Sequence, residues 1–449
     1  MRRSLKEILP LSLVILLAGI FLLRFAHLQL ASDDLDWLSG RIPTVFDQYR
    51  LIPRLFFQGL NALFGPNPMA ALGMSFFFHA ANIILVYLLA RQWFSGKTGP
   101  WVAAWVFAIN PLTLSTLTWF SCFSYILGTT FGLSALLFSL KSNSPRASPL
   151  WLSLAYISYL FALFSSHELL FLPVLFLVWS WYKSKINQKA LLLFGLSAIS
   201  GLAVNQWYYR FSDLQVNPGA LFSGQFFLAA ASSLASFGSA LTLVYLPSFF
   251  VHPMGILQFL FSEPWRWWIT ALAGLAVAFG INRRNGRIIL VVLLSFAALI
   301  APYILRLFLM PPGVFYSPEY ILSGRVFYIP FLLLALGFGM AASKIESIGR
   351  RWTGLMVFLG GLSYLWAILF TYQPSDFLGL NVMKNGPAGL LVPPENWNPY
   401  HSITPAGLGW VLLAILIALA IRFIFAKRRL ISKIIRSPIR ANRHPHPPE

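Results

Sequence analysis

The sequence predicts an all-α fold: a polytopic membrane helix bundle of about twelve spans, with an extracytoplasmic first loop that carries interfacial helices. Two observations lead there. The chain of 449 residues is 58% hydrophobic and only 10% charged, where soluble domains carry about a quarter charged residues. Apolar runs of about 18 residues or more also recur along it, the length at which a helix crosses ~30 Å of hydrocarbon. A β-barrel would alternate in segments of about ten residues instead, and the sequence does not.

In order, the expected spans are 8–30, 69–90, 101–118, 120–140, 151–165, 167–182, 190–208, 266–281, 288–307, 326–343, 352–371 and 406–426. The first follows Arg2, Arg3 and Lys6. It reads as an uncleaved signal anchor rather than a secretory signal, because the apolar stretch is long and Leu30-Ala31-Ser32 is a poor cleavage site. Residues 225–263 fit either a hairpin, which raises the number of spans to fourteen, or a segment that is re-entrant or flat on the outer surface. Ser232, Ser233, Ser236, Ser239 and the Leu246-Pro247 break permit both. A single transmembrane domain covers 1–426, and 427–449 forms a basic tail.

Charge orients the bundle. The net charge is +20, and the segments 1–7, 91–100, 141–150, 183–189, 282–287, 344–351 and 422–449 hold 24 of the 33 Lys and Arg. Of the 13 acids they hold only Glu7, Glu346 and Glu449. This positive-inside bias puts both termini in the cytoplasm, with the chain in the plasma (inner) membrane. The tail from Lys427 to Arg443 suits anionic headgroups, so the expected partner of the charge is membrane lipid and not nucleic acid. The sole cysteine, Cys122, excludes an internal disulfide and any cysteine-built metal cage.

Four segments are left outside: 31–68, 210–224, 308–325 and 372–405. Long ordered loops over a bundle usually carry function. The first holds Asp33-Asp34-Leu35-Asp36, three carboxylates in four positions. Neighbouring like charges raise proton affinity, so one of them suits a general base acting on a hydroxyl. The cluster also fits a solvated loop of helix-capping acids.

His79 and Asn82 lie three residues apart, on one face of the second span. They suit hydrogen bonding between helices, beneath a site. Asn110-Pro111-Leu112 marks a helix bend, because proline frees a carbonyl; Trp119-Phe120-Ser121 follows it. Glu168, in Ser166-His167-Glu168, fits a second acid, a metal ligand or a helix N-terminal charge. Arg325 opens the run Arg325-Val326-Phe327-Tyr328-Ile329-Pro330, and Arg306 lies at a similar depth. A planar guanidinium there could hold a phosphate, and it could equally snorkel to the interface beside Tyr328 in the aromatic belt. No phosphate-binding glycine loop, His-Glu-x-x-His or Gly-x-Ser-x-Gly occurs, which argues against a cytoplasmic nucleotide-driven enzyme.

An acidic pair after the first helix, His-x-x-Asn, Pro-Leu before Trp-x-Ser, a glutamate at an outer turn and Arg-x-x-Tyr-x-Pro occur in that order. The order resembles the GT-C superfamily of polytopic glycosyltransferases, closest to the membrane domains of the transmembrane-and-TPR O-mannosyltransferases and their bacterial relatives. It covers 31–140 and 315–345. The resemblance implies inverting transfer of a sugar from a polyprenyl-phosphate carrier to a glycan, lipid or protein acceptor on the outer face. It implies Asp33 as base, Asp34 as the acid that positions acceptor or donor, and Arg325, with Arg306, as the phosphate clamp. Glu168, His79, Asn82, Trp119 and Tyr328 would bind or support substrate. The resemblance fixes no cofactor, and Asp33, Asp34 and Glu168 are oxygen ligands that suit a divalent ion. The chain departs from the family pattern at Ser115, Asn110 and Cys122-Phe123, and it has no TPR repeats.

Two other classes stay open. A glycan polymerase or ligase of the O-antigen type would need an outer loop dense in Arg and His, where 372–405 holds only Lys384 and His401. A lipid or solute transporter would need mid-membrane charges and broken helices in paired halves.

Overall fold

The computed structural model describes residues 2–23, 50–94, 96, 98–108, 116–117, 120–143, 147–183, 186–207, 290–291, 293–299, 301–302 and 328–348. Among the described residues all regular structure is helical, with no strand. The elements are α1 (Arg2–Leu23), α2 (Leu51–Phe64), α3 (Pro68–Trp93), α4 (Thr98–Ala108), α5 (Phe123–Ser142), α6 (Pro149–Ser165), α7 (Leu172–Lys183), α8 (Gln188–Trp207) and α9 (Phe331–Ile348). Single 3-10 turns at Phe120–Cys122 and His167–Leu169 open α5 and precede α7.

Local sequence explains several boundaries. α2 ends at Gly65, whose φ of 64° is open to glycine without strain, and its N–H bonds the Asn61 carbonyl at 2.9 Å. Asn67 then caps α3, accepting from Met69 N at 2.9 Å and Ala70 N at 3.3 Å, and Pro68 takes the first helical position. Ser148 and Pro149 start α6 in the same way, with Ser148 Oγ accepting from Leu150 N at 3.3 Å.

The expected spans and the helices differ at their ends. The 167–182 span divides into the 3-10 turn and α7, with Pro173 in the first turn of α7, where its missing N–H has no helical partner to lose. The span expected from 326 begins as a helix at Phe331, after a turn over 328–330, and runs on to Ile348. The residues described between 290 and 302 are helical, within the span expected over 288–307. The spans expected at 266–281, 352–371 and 406–426, and the ambiguous 225–263, lie outside the described residues.

Two of these helices, α3 with 26 residues and α5 with 20, are long and apolar enough to cross a membrane. Shorter apolar helical stretches run over Pro149–Ser165, Gln188–Val204 and others. α5 is the central helix: it packs against α2, α3, α6, α7 and α8. Its neighbours come close where it lacks a side chain, since a Cβ on Gly128 would sit 2.9 Å from Ser166 Cβ. α4 and α9 approach closely through Gly99 and Gly339, where a Cβ on Gly339 would meet the Gly99 carbonyl at 2.6 Å. α2, which is too short to span, lies across α3, α5 and α6, burying Pro53 and Phe57 and exposing Leu55, Leu63 and Phe64. It is a helix of the first loop, where the sequence predicts an interfacial one.

Candidate functional site

α3 buries Ser75, His79, Asn82 and Val86 along one stripe, at the spacing that aligns side chains on a helix. His79 and Asn82 are both fully buried, where an unmatched polar group costs about 1–3 kcal/mol. Partners come from three other elements. His79 Nε2 lies 3.0 Å from the Ala108 carbonyl, and Nδ1 lies 2.7 Å from the Tyr328 hydroxyl. Asn82 Nδ2 donates to the Ile126 carbonyl at 3.0 Å and to the Tyr328 hydroxyl at 3.1 Å.

The donors can be assigned from these contacts. A carbonyl only accepts, so Nε2 of His79 carries a hydrogen and Asn82 presents its amide nitrogen to Ile126. The Tyr328 hydroxyl accepts from Asn82 and donates to Nδ1. The chain Asn82 to Tyr328 to His79 to Ala108 thus has one direction throughout. Ala108 is the last residue of α4, where the final carbonyls of a helix have no partner within it. Phe107 stacks on the imidazole at 5.7 Å and meets the Tyr328 ring edge-on at 5.5 Å, closing the cluster to solvent. Some capacity is left over: Asn82 Oδ1, Ser75 Oγ and Thr116 Oγ1 are buried and unpaired, and each could take an ordered water.

Glu168 lies on the 3-10 turn between α6 and α7 and is buried, with 3% exposure. Ser166 Oγ donates to its Oε2, and His167 Nε2 lies 3.3 Å from Oε1. Arg50, at the start of α2, holds its guanidinium 5.8 Å from the centre of the Tyr125 ring.

One turn of α5 joins these groups. Tyr125 meets Arg50, Ile126 accepts from Asn82, and Gly128 touches Ser166 beside Glu168. Residues 125–128 rise only about 4.5 Å along the helix axis. The structure therefore brings His79, Asn82, Tyr328, Glu168 and Arg50 to one level of the bundle. The sequence did not single out Arg50 for the site. Its place among the cations of the 31–68 loop was the available signal.

Asp33, Asp34, Arg306, Arg325 and Trp119 lie outside the described residues. Among the described residues no group of three or more His, Cys, Asp or Glu could hold a metal ion. Glu168, with His167 beside it, would be one member of such a set and needs carboxylates from elsewhere.

Compared with known proteins, the chain matches no family model, no curated protein and no solved structure.

Proposed function

We propose that this chain is a polytopic membrane glycosyltransferase that moves a sugar from a polyprenyl-phosphate carrier to an acceptor on the extracytoplasmic face. Membrane embedding is supported by the apolar rows that the helices turn outward. Leu13, Leu16 and Ile20 on α1, Phe77 and Ile84 on α3, and Leu191, Leu192, Leu196, Ile199 and Leu202 on α8 are all exposed. Surfaces of that extent on a protein in water would associate. Twelve to fourteen spans with both termini inside follow from the charge map.

The observation that carries the reading is the junction of Tyr328 with His79 and Asn82. These residues are 249 and 246 positions apart, and the motif order draws on both regions. The charge map turns the Tyr328 end of its span outward, as it does Glu168 and the 31–68 loop with its acids, while His79 and Asn82 lie near the middle of α3.

In the reaction, Asp33 takes the proton of the acceptor hydroxyl as its oxygen attacks the anomeric carbon. The bond from that carbon to the carrier phosphate breaks on the opposite side, so the configuration inverts. Arg325 and Arg306 take up the charge that develops on the leaving phosphate. Asp34 orients the acceptor or donor, and Trp119 offers a face to the sugar. The His79–Asn82–Tyr328 network is a positioning platform beneath them.

The test is transfer from polyprenyl-phosphate sugars by the purified, reconstituted protein. Asp33→Asn should abolish product, a loss of at least the ~100-fold typical of a missing general base, without altering yield or melting temperature. Product that persists in the double variant Asp33→Asn/Asp34→Asn would overturn the reading.

A further inference from the structure

An apolar slot of ≈ 530 Å³ lies between α1 and α3. Its walls among the described residues are Ser12, Ile15, Leu16, Gly19, Ile20 and Leu22 of α1, and Met69, Leu72, Gly73 and Phe76 of α3. The size falls within the ~300–1,000 Å³ of ligand pockets. Glycine shapes it twice. Gly19 lets Phe76 come down onto α1, since a Cβ there would lie 2.9 Å from its ring. Gly73 leaves open space, with no atom of the described residues within 4 Å of where its Cβ would be.

We propose that this slot holds one acyl chain of a bilayer phospholipid, as a resident lipid between α1 and α3. The proposal rests on the membrane orientation given above and is independent of sugar transfer. Three features select the occupant. Among the described residues the lining offers only the Ser12 hydroxyl as a side-chain polar group, so it suits hydrocarbon and not a headgroup. From residue 12 to 22 the wall is about 15 Å long, the reach of one phospholipid acyl chain, which covers half of a ~30 Å core. On α3 it uses only residues 69–76, the end that follows the outer loop. A polyprenyl tail, longer than one leaflet is deep, would overrun it. Leu16, Ile20 and Met69 are about half exposed at its rim, so a chain enters sideways from the bilayer.

The test uses the full chain in vesicles of phosphatidylethanolamine and phosphatidylglycerol, doped with a phosphatidylglycerol bearing a mid-chain diazirine. After photolysis, mass spectrometry maps the label. The slot predicts several-fold more label on the peptides holding 12–22 and 69–76 than on the exposed rows of α6 and α8. Gly73→Leu fills open space and should remove that excess while keeping the melting temperature. Gly195→Leu, which also meets nothing within 4 Å but lies on α8, should leave the excess unchanged. Even labelling of all exposed rows, or an excess that survives Gly73→Leu, would sink the proposal while leaving the membrane reading intact. Label on no helix would sink both. A polyprenyl-phosphate diazirine probe that marks the slot where the phospholipid probe does not would assign it to a carrier lipid and overturn the proposal.

Discussion

Tyr328 is the residue on which two buried side chains depend. Its ring is fully buried, and its hydroxyl serves His79 and Asn82 together. Tyr328→Phe keeps the shape and removes that oxygen, so Nδ1 of His79 and one amide hydrogen of Asn82 lose their partner. The expected destabilisation is about 1–2 kcal/mol, toward the upper range for hydrogen bonds inside membrane bundles, read as a lower melting temperature in detergent. His79→Ala should cost more, because it also empties the space against Phe107 and strips the donor from the Ala108 carbonyl. The double variant should cost less than the sum by about 0.5–3 kcal/mol, since both changes break one network. Additive effects would mean that the network does not act as a unit. The pairing of His79 with Asn82 was legible in the sequence because three residues make nearly one helical turn. Tyr328 was marked by the Arg-x-x-Tyr-x-Pro run, but its bonds to these two were not legible, since it stands 246 residues beyond Asn82.

Among the elements, helix contacts are governed by where side chains are missing. Gly99→Ala would drive a methyl into Ser343 Oγ and to 2.7 Å from the Gly339 carbonyl, so α4 and α9 must separate. The expected cost is about 1–3 kcal/mol, from overpacking against backbone. Gly337→Ala, two residues from that contact, meets nothing within 4 Å and should be neutral or stabilise by about 0.5–1 kcal/mol through helix propensity. Thermal unfolding of the two variants side by side checks the contrast, and equal effects would refute it. Helix existence was readable from apolar run length. Helix ends were less so, because caps and turns decide them. Asn67-Pro68 and Ser148-Pro149 carry cap chemistry, and Pro330, which disfavours helix at Ile329, likewise stands directly before the start of α9 at Phe331, although the expected span ran through it.

For the whole molecule, the orientation is the quantity to measure. The positive-inside map puts Gln58 of α2 outside and Gln92, near the end of α3, inside. With Cys122 replaced by alanine, Gln58→Cys should react with a membrane-impermeant maleimide in intact spheroplasts, and Gln92→Cys only after lysis. The reverse pattern would invert the map. The acids on which the proposed reaction rests, Asp33 and Asp34, are conspicuous in a sequence with 13 acids in 449 residues. Scarcity shows which groups are unusual and leaves open where they meet. The buried network also has a consequence for synthesis. Ala108 follows His79 by 29 residues and Ile126 follows Asn82 by 44, so both carbonyl anchors emerge early. Tyr328 emerges 246 residues after Asn82, which at about 5–20 residues per second is roughly 10–50 s later. Through that interval the imidazole is held by one nitrogen while the other waits for its donor. The N-terminal half thus carries a polar group short of its partner until the last third of the chain is made, and translation speed sets for how long.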